Sequence, residues 1–305
     1  MKPNAARVNL LSLSAVLTQA EKSQYAVGSF SPRYTSMIRP ILKVGQALSS
    51  PIIVQISEKE LVRYQISATE FAESFFQEFD DQGITVPVVL HLDHTKNVSV
   101  IEEAIAAGFT SVMIDASEQP IDENIRITKE VVAMATARKV SVEAELGKIG
   151  TTDYIETETD EELYTDPREA LRFVTETDVD ALAVSVGTAH GVYVVKQPTI
   201  DFARIRQIRA LTPVHLVLHG GSGIEVALLH RAIMGGISKV NIATDLELAL
   251  LGALGRSERM TDLECRKLDV EALEIARAAV SRVVHDKITS CLGSAGQGYP
   301  IGLSS

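Results

Sequence analysis

The sequence lacks tryptophan, has few aromatic residues and contains only two cysteines among its 305 residues. Apolar residues still make up 46% of the chain, so any core must be aliphatic, as the packing of helices on a sheet allows. Two cysteines, Cys265 and Cys291, are fewer than a secreted, disulfide-stapled scaffold of this size usually carries. We expect both to be reduced and structural, in a C-terminal helical region.

The chain also lacks long apolar runs and an excess of basic charge. No run approaches the roughly 18 apolar residues of a membrane-spanning helix. The N-terminal stretch mixes apolar residues with Asn, Ser, Thr and Gln, which predicts an amphipathic helix rather than a signal peptide, so we expect a cytoplasmic protein. A net charge of -11 argues against nucleic-acid and anionic-membrane partners, although a local site can still bind an anionic substrate.

Short β-branched runs alternate with longer stretches of helical period, which predicts βαβ units around a parallel sheet. The predicted strands are Ala26–Phe30, Pro51–Ile56, Val88–Leu92, Ser111–Ile114, Ser141–Glu145, Ala181–Val186, Val214–Leu218 and Lys239–Ile242. Eight strands close a (β/α)₈ TIM barrel, so we predict a single α/β barrel domain over residues 1–305. Predicted helices include Val100–Ala107, with Gly108 as its C-cap, and Asp122–Arg138.

One segment departs from this alternation. Residues Thr151–Asp166, TTDYIETETDEELYTD, are acidic and have no apolar period. They form either a solvated loop or a lid over the active site, because they closely follow a strand end. We therefore predict a mobile loop at 150–166 and helices at the C-terminus.

Polar residues gather at the carboxyl ends of the predicted strands, where barrels of this type build their active sites. His94 follows the third strand, His190 the sixth and His219 the seventh. Taken singly, each has an ordinary interpretation as a hydrogen-bonded core or loop histidine. Three imidazoles with one open position form a catalytic zinc site, and the joint placement predicts one here. The other histidines are assigned structural roles, with His91 packed in the barrel: His91, His215, His230 and His285.

Carboxylates accompany these histidines. Asp93 precedes His94 where the chain leaves strict alternation, so both side chains can reach the cavity. Asp93 is a candidate general acid/base; otherwise it orients a histidine from behind. Asp115 and Glu145, on adjacent strands, can hold a second or alternative metal position, and otherwise accept hydrogen bonds near the metal ligands.

Two loops are candidates for phosphate binding. Gly220–Gly223 follows the seventh strand and Asn241–Asp245 follows the eighth, and these two positions bind phosphate in many such barrels. Glycines let the backbone approach a ligand, and N–H groups at a helix start attract anions. The ordinary alternative for the glycine stretch is a tight turn.

In combination, these motifs resemble the class II, metal-dependent ketose-bisphosphate aldolases, which include the fructose- and tagatose-bisphosphate enzymes. The matching stretches span nearly the whole chain in the family's order: YAVG at 25–28, PIIVQIS at 51–57, HLDH at 91–94, GFTSVMIDAS at 108–117, VSVEAELGKIG at 140–150, VDALAVSVGTAHGVY at 179–193, LVLHGGSGI at 216–224 and KVNIATDL at 239–246. The resemblance implies a lyase of carbohydrate metabolism that cleaves a ketose phosphate to dihydroxyacetone phosphate and an aldehyde. Breaking that bond leaves an enediolate, which a Lewis acid stabilises.

The resemblance also implies roles for individual residues. Asp93 would be the acid/base at the hydroxyl of the bond that breaks. The ligands of the catalytic Zn²⁺ would be His94, His190 and His219. A second or displaced divalent ion would be bound by Asp115 and Glu145. The residues expected to hold the substrate and its phosphate are Ser57, Gly191, Gly220, Ser222, Asn241 and Thr244. Family members are usually dimers or tetramers, so we expect a homodimer or homotetramer, and some also use a monovalent cation.

Departures from the family pattern lie on the substrate side. Asp153 stands where a loop glutamate usually exchanges the proton at the enediolate carbon, so we assign Asp153 that catalytic role. Arg33 is unusual after the first strand, and Lys96 is unusual after HLDH. We expect metal-dependent chemistry with altered specificity. Arg33 and Lys96 either meet a distal anionic group of an unusual aldehyde or are solvated surface cations.

Three functions are compatible with these residues. The first is an aldolase acting on a sugar phosphate. The second is a metal-dependent epimerase or isomerase on the same scaffold, motivated by the altered proton-transfer loop. The third is a non-catalytic sugar-phosphate-binding homologue, against which the presence of Asp93 and all three histidines argues.

Overall fold

Eight parallel strands close into a barrel in a computed structural model that describes residues 7–155, 164–193 and 197–298. Two further strands, β6 (Gly150–Ile155) and β8 (Ala189–Tyr193), lie outside it. The barrel strands are β1 (Val27–Phe30), β2 (Ile52–Ser57), β3 (Val88–Thr95), β4 (Ser111–Ile114), β5 (Ser141–Leu146), β7 (Ala181–Val184), β9 (His215–Leu218) and β10 (Ile237–Ile242). Their order around the barrel is β1-β10-β9-β7-β5-β4-β3-β2. The predicted TIM barrel is confirmed, and each predicted strand overlaps an observed one.

Helices connect the strands and cover the barrel. They are α1 (Leu13–Ser23), α2 (Ile38–Ala47), α3 (Glu58–Tyr64), α4 (Ala68–Asp81), α5 (Val98–Ala107), α6 (Ile121–Thr136), α7 (Pro167–Thr177), α8 (Phe202–Leu211), α9 (Val226–Met234), α10 (Thr244–Ala253), α11 (Asp262–Arg266) and α12 (Val270–Asp286). A π-helix, Lys287–Leu292, continues α12. The two predicted helices are present as α5 and α6, and Gly108 ends α5 in the left-handed conformation. Within the described ranges, no helix is both long and apolar enough to cross a membrane.

Helix α1, the predicted amphipathic helix, closes the amino-terminal end of the barrel. Ser12 caps it by accepting a hydrogen bond from the Ala15 amide. Its buried face has the spacing of an amphipathic helix and consists of Leu13, Val16, Leu17 and Ala20. This face packs on apolar residues of the barrel interior, namely Val27, Ile53, Val89, Met113, Ala181, Ala183 and Val217. The opposite, carboxyl end is therefore the one available for a polar site.

Alternation along β3 separates the core from the site. Leu90 and Leu92 belong to the large apolar core between strands and helices. Val89 belongs to the inner layer against α1, and His91 and Asp93 follow it on the same strand face. His91 is fully buried with Nδ1 2.8 Å from Ser111 Oγ, as a packed barrel residue should be.

The first residues of the predicted loop form a strand instead. Gly150–Ile155 (β6) pairs in parallel with Ala189–Tyr193 (β8), and Thr151 lies opposite His190. Thr, Tyr and Ile favour strands, and the acidic residues downstream masked that preference in the sequence. Residues 156–163 lie outside the described residues, as does the side chain of Asp153, so the lid and the role of Asp153 stay predictions.

Candidate metal centre and active site

An irregularity at the end of β3 brings two consecutive polar residues to the barrel mouth. The pairing of β3 with β4 shifts register between Leu92 and Thr95, and His94 has a φ of 26°. Such a conformation costs about 1–3 kcal/mol and persists where the surrounding structure enforces it, often at functional sites. The shift interrupts strand alternation, so Asp93 and His94 both lie at the carboxyl end of the barrel.

Three histidines from separate segments meet at this mouth. His94 is the penultimate residue of β3, His190 lies in β8, and His219 follows β9 directly. Their ring centroids are 4.8 Å apart for His94 and His190, 4.5 Å for His94 and His219, and 5.6 Å for His190 and His219. One nitrogen from each ring lies within 4.8 Å of the other two.

Carboxylates lie behind two of these rings. His94 Nδ1 is 3.0 Å from Asp115 Oδ2, and His219 Nε2 is 2.9 Å from Glu143 Oε1. Because an ionised carboxylate only accepts hydrogen bonds, these two ring nitrogens carry the hydrogens. The opposite nitrogens, His94 Nε2 and His219 Nδ1, face each other at 2.7 Å, a separation at which two imidazole nitrogens share a proton or a cation. A carboxylate behind the imidazole is the usual way that proteins orient a histidine metal ligand.

The donor set fits a divalent cation. Nitrogens around a tetrahedral zinc ion lie about 3.4 Å apart, given Zn–N distances of about 2.0–2.1 Å. The separations here run from 2.7 Å to no more than 4.8 Å and so bracket that value. Glu145 Oε2 is buried, has no hydrogen-bond partner among the described residues, and lies 3.8 Å from Nδ1 of both His94 and His219. Burying a carboxylate oxygen without a hydrogen bond costs folding free energy unless the oxygen faces a positive charge.

The pKa shifts of the residues at this pocket also favour a bound cation. Burial raises the pKa of Glu145 to about 8; the charge of His94 opposes the rise and that of Asp115 adds to it. Burial disfavours the charged form of His94, but the charges around it, Asp93 first, raise its pKa to about 9. Burial, together with the charge of His94, holds the pKa of His190 well below its usual range. The pocket therefore favours positive charge while His190 keeps a lone pair.

Asp93 lies beside the histidines and accepts two amide hydrogen bonds. Gln55 Nε2 donates to Oδ2 at 3.0 Å, and Asn241 Nδ2 donates to Oδ1 at 3.1 Å. Burial alone would raise the pKa of Asp93, but the charge of His94 and the neighbouring His91 imidazole, with Nε2 3.7 Å from Oδ1, hold it well below its usual range. Asn241 Oδ1 is buried without a hydrogen-bond partner among the described residues, so it can accept a hydrogen bond from a ligand.

The loop after β9 requires glycine at two positions. Gly220 has a φ of 69°, and a Cβ there would lie 2.2 Å from the carbonyl oxygen of Ala189. A Cβ on Gly221 would lie 2.4 Å from the side chain of Val240. The close approach of Gly220 to the start of β8 brings His219 next to the strand that carries His190.

The two loops predicted to bind phosphate touch each other. Ser222 Oγ accepts hydrogen bonds from the amides of Ala243 and Asp245 at 3.2 Å each. The Gly223 amide donates to Asp245 Oδ2 at 3.2 Å. The glycine loop is thus held against the start of α10, where Thr244 lies, and its role in phosphate binding stays a prediction.

Two other predicted substrate residues lie on different segments. Ser57 ends β2 in register with Asp93, and its side chain forms a capping box with Glu60 at the start of α3. Gly191 follows His190 in β8 with a φ of 124°. The structure thus places Ser57 beside the candidate acid/base, while its hydroxyl also serves as a helix cap.

Arg33 is mostly buried, unlike a solvated surface cation. Its guanidinium pairs with Glu60, and also with Glu247 at 3.5 Å, and its side chain is only 11% exposed. The charge of Arg33 is therefore compensated inside the fold, while its buried Nε has no hydrogen-bond partner among the described residues. Lys96 is exposed and pairs with Glu118 at 2.7 Å, as a solvated cation does.

Three buried polar residues at this site were not predicted as site residues: Gln55, Glu143 and Lys239. Glu143 is two residues from Glu145 on the same strand face, and that spacing was the available signal. Lys239 is fully buried with Nζ 2.7 Å from Glu143 Oε2. Lysine is almost never fully buried unless it is paired, so a lysine within an apolar strand is the signal that predicts a buried ion pair here.

The chain matches the family model described as fructose-bisphosphate aldolase class-II over residues 11–297. It is 40% identical over 247 residues to a fructose-bisphosphate aldolase from Geobacillus stearothermophilus, covering 81% of this chain and 85% of that protein. It is 40% identical over 275 residues to a 6-phospho-5-dehydro-2-deoxy-D-gluconate aldolase from Shouchella clausii, covering 89% of this chain and 92% of that protein.

A similar solved structure is that of the YdjI aldolase from Escherichia coli. It superposes with a TM-score of 0.81 at 32% sequence identity, covering 95% of this chain and 100% of that one. The similarity in sequence and in structure therefore extends over the whole barrel and includes the strands that carry the histidines.

Proposed function

The chain belongs to the class II fructose-bisphosphate aldolase family and is an aldolase, and we propose that it cleaves a ketose phosphate to dihydroxyacetone phosphate and an aldehyde with the help of Zn²⁺. The observation that carries the proposal is the convergence of three imidazoles beside Asp93 at the carboxyl end of the barrel. A second or displaced divalent ion at Asp115 and Glu145 and a monovalent cation are further predictions, as are a homodimer or homotetramer and a cytoplasmic location.

The metal would be held by His94, His190 and His219. A divalent ion there supplies a Lewis acid that draws electron density from the substrate carbonyl. Asp115 and Glu143 orient two of the rings from behind through hydrogen bonds of 3.0 and 2.9 Å. Glu145, with its unpartnered oxygen, offers a further ligand or an acceptor for substrate.

Asp93 takes the proton from the hydroxyl on the far side of the bond that breaks. As that oxygen becomes the aldehyde carbonyl, the carbon–carbon bond breaks and its electron pair stays on the ketone half. Gln55 and Asn241 hold the Asp93 carboxylate from two sides, so its position is set before substrate arrives. In condensation the same proton returns to the new hydroxyl.

The ketone half then gains a proton on carbon to become dihydroxyacetone phosphate. We assign delivery of that proton to Asp153, in the place of the family's loop glutamate. The phosphate would lie against the glycine loop and the start of α10, which Ser222 joins. Asn241 Oδ1 is available for a hydrogen bond from a substrate hydroxyl.

The substrate class is a phosphorylated ketose with a variable aldehyde half. Two of the relatives are named as aldolases of fructose-bisphosphate and of 6-phospho-5-dehydro-2-deoxy-D-gluconate, and these two substrates differ in the aldehyde half. The pairing of Arg33 with Glu60 and Glu247 favours an aldehyde that needs no salt bridge from Arg33.

The test is a coupled assay. The purified protein is incubated with candidate ketose phosphates, and released triose phosphate is trapped by a dehydrogenase, with and without EDTA. We expect triose release that stops with EDTA and returns with Zn²⁺. His190→Ala should abolish release, and His230→Ala, at an exposed position of α9, should leave it unchanged.

Other outcomes would select against the proposal. Isomer conversion without triose would indicate an epimerase or isomerase, and binding without turnover would indicate a carrier of sugar phosphates. Equal activity in metal-free protein would remove the role of the histidine cluster.

A further inference from the structure

A charged layer lies beneath the three histidines, inside the barrel. It consists of Lys239 from β10, Glu143 from β5 and His91 from β3, and all three are fully buried. Barrel interiors of this fold are normally filled by branched aliphatic residues, and burying charge is costly. The proposed function gives Lys239 no part, since it is neither one of the proposed ligands nor one of the residues assigned to the substrate.

A chain of contacts joins Lys239 to one of the metal-site histidines. Lys239 Nζ lies 2.7 Å from Glu143 Oε2, and the other carboxylate oxygen of Glu143 lies 2.9 Å from His219 Nε2. The far side of the same imidazole, Nδ1, lies 2.7 Å from His94 Nε2. One ammonium group is thus two contacts away from the nitrogen that faces the other imidazoles.

Lys239 restrains the carboxylate from one side only. With Oε2 held by the ammonium, Oε1 points at His219 and accepts its Nε2–H. Lys239 Nζ also lies 3.4 Å from His91 Nε2, whose ring is anchored by Ser111 Oγ at 2.8 Å. Because an ammonium has only donors, its geometry against these two acceptors keeps the Glu143 side chain in a single orientation.

Resting on the proposed function, we propose that Lys239 is a positioning residue that acts through Glu143 to hold His219 in the tautomer and orientation that turn Nδ1 toward the metal. Without the lysine, Glu143 can turn away, and His219 can move its hydrogen to Nδ1. Loss of a residue that orients a metal ligand typically lowers metal affinity by roughly 10–100-fold.

The test compares Lys239→Met with Lys287→Met. Methionine has a similar length without the charge. Lys287 is a mostly buried lysine that pairs with Asp245 at 2.7 Å, and Asp245 accepts a hydrogen bond from the Gly223 amide in the loop that His219 begins. Zn²⁺ affinity is measured by competition with a chromophoric chelator. ¹⁵N NMR of the imidazoles reports the His219 tautomer in zinc-free protein. We expect Lys239→Met to lose roughly 10–100-fold in Zn²⁺ affinity and to show a mixture of tautomers, whereas Lys287→Met stays within about threefold and keeps one tautomer.

A second variant covers the case in which Lys239→Met does not fold. Lys239→Met/Glu143→Gln removes both charges and leaves neither unpaired in the interior. It should lose roughly the same 10–100-fold, because an amide can offer His219 either its oxygen or its NH₂ group. Either variant folding with wild-type Zn²⁺ affinity and a single Nε2–H tautomer overturns the proposal. Failure of the proposed function is distinct, since it appears as absent Zn²⁺ binding or triose release in the wild-type protein.

Discussion

Replacing Arg33 should destabilise the fold more than it impairs substrate binding. Arg33 pairs with Glu60 and Glu247, which are only 6% and 3% exposed. Removing one partner of a buried ion pair costs about 3–5 kcal/mol, because the remaining charge is left uncompensated. Glu247 keeps its ion pair with Arg259, and Glu60 keeps its hydrogen bond from Ser31. We therefore expect the lower end of that range, about 3 kcal/mol.

Urea unfolding followed by circular dichroism measures this loss in Arg33→Met. For a domain of this size a loss of about 3 kcal/mol lowers the Tm by roughly 6–10 °C. The matched control is Arg39→Met, because Arg39 is 48% exposed and lies 3.7 Å from Glu78. Loss of such a surface pair should cost less than about 1 kcal/mol. Adding Glu60→Gln to Arg33→Met should recover part of the loss, since the uncompensated carboxylate is then gone.

The opposite result would refute this reasoning. If Arg33→Met and Arg39→Met unfold at the same urea concentration, the pair with Glu60 and Glu247 contributes little to stability. If in addition the KM for an anionic aldehyde rises tenfold or more in Arg33→Met alone, then Arg33 meets the anionic group of the substrate.

Three further predictions concern glycine, cysteine and pH. Gly220→Ala should lower the free energy of unfolding in urea by roughly 2–4 kcal/mol, since its Cβ would collide with the Ala189 backbone. The control, Gly252→Ala, changes a helical position with open space around it and should raise that free energy by up to about 1 kcal/mol. Equal effects of the two substitutions would contradict the clash. Burial raises the pKa of Cys265 to about 12 and also raises that of Cys291, so neither thiol should react with a disulfide reagent at pH 8 until the chain unfolds; one fast native thiol would argue against this. Burial alone would raise the pKa of Glu247, but its arginine partners lower it below the model-peptide value of 4.5, so its ionised form stabilises the fold above that pH. The stability advantage of the wild type over Glu247→Gln should therefore be present at pH 7 and fade as pH falls below 4.5, and a constant difference from pH 7 to 3 would contradict it.

Much of the fold could be predicted because barrel strands buried on both faces read as continuous apolar runs. The convergence of His94, His190 and His219 could also be predicted, since the carboxyl ends of parallel strands gather at one end of a barrel. The strand β6 was missed because its preference is weak beside the acidic run that follows. Lys239 was missed because a single lysine at a strand start looks like a solvated edge residue.

The sequence by itself determined the (β/α)₈ class, the end of the barrel where polar residues gather, and the chemistry of the donor set, because periodicity and strand-end position are local properties of the chain. Only the tertiary structure decided which nitrogen of His94 and of His219 faces the other imidazoles, since the carboxylates behind them lie directly after β4 and within β5. It likewise placed the guanidinium of Arg33 3.5 Å from Glu247, more than 200 positions away along the chain. Partners so distant in sequence are chosen by how the barrel closes, which no local pattern records.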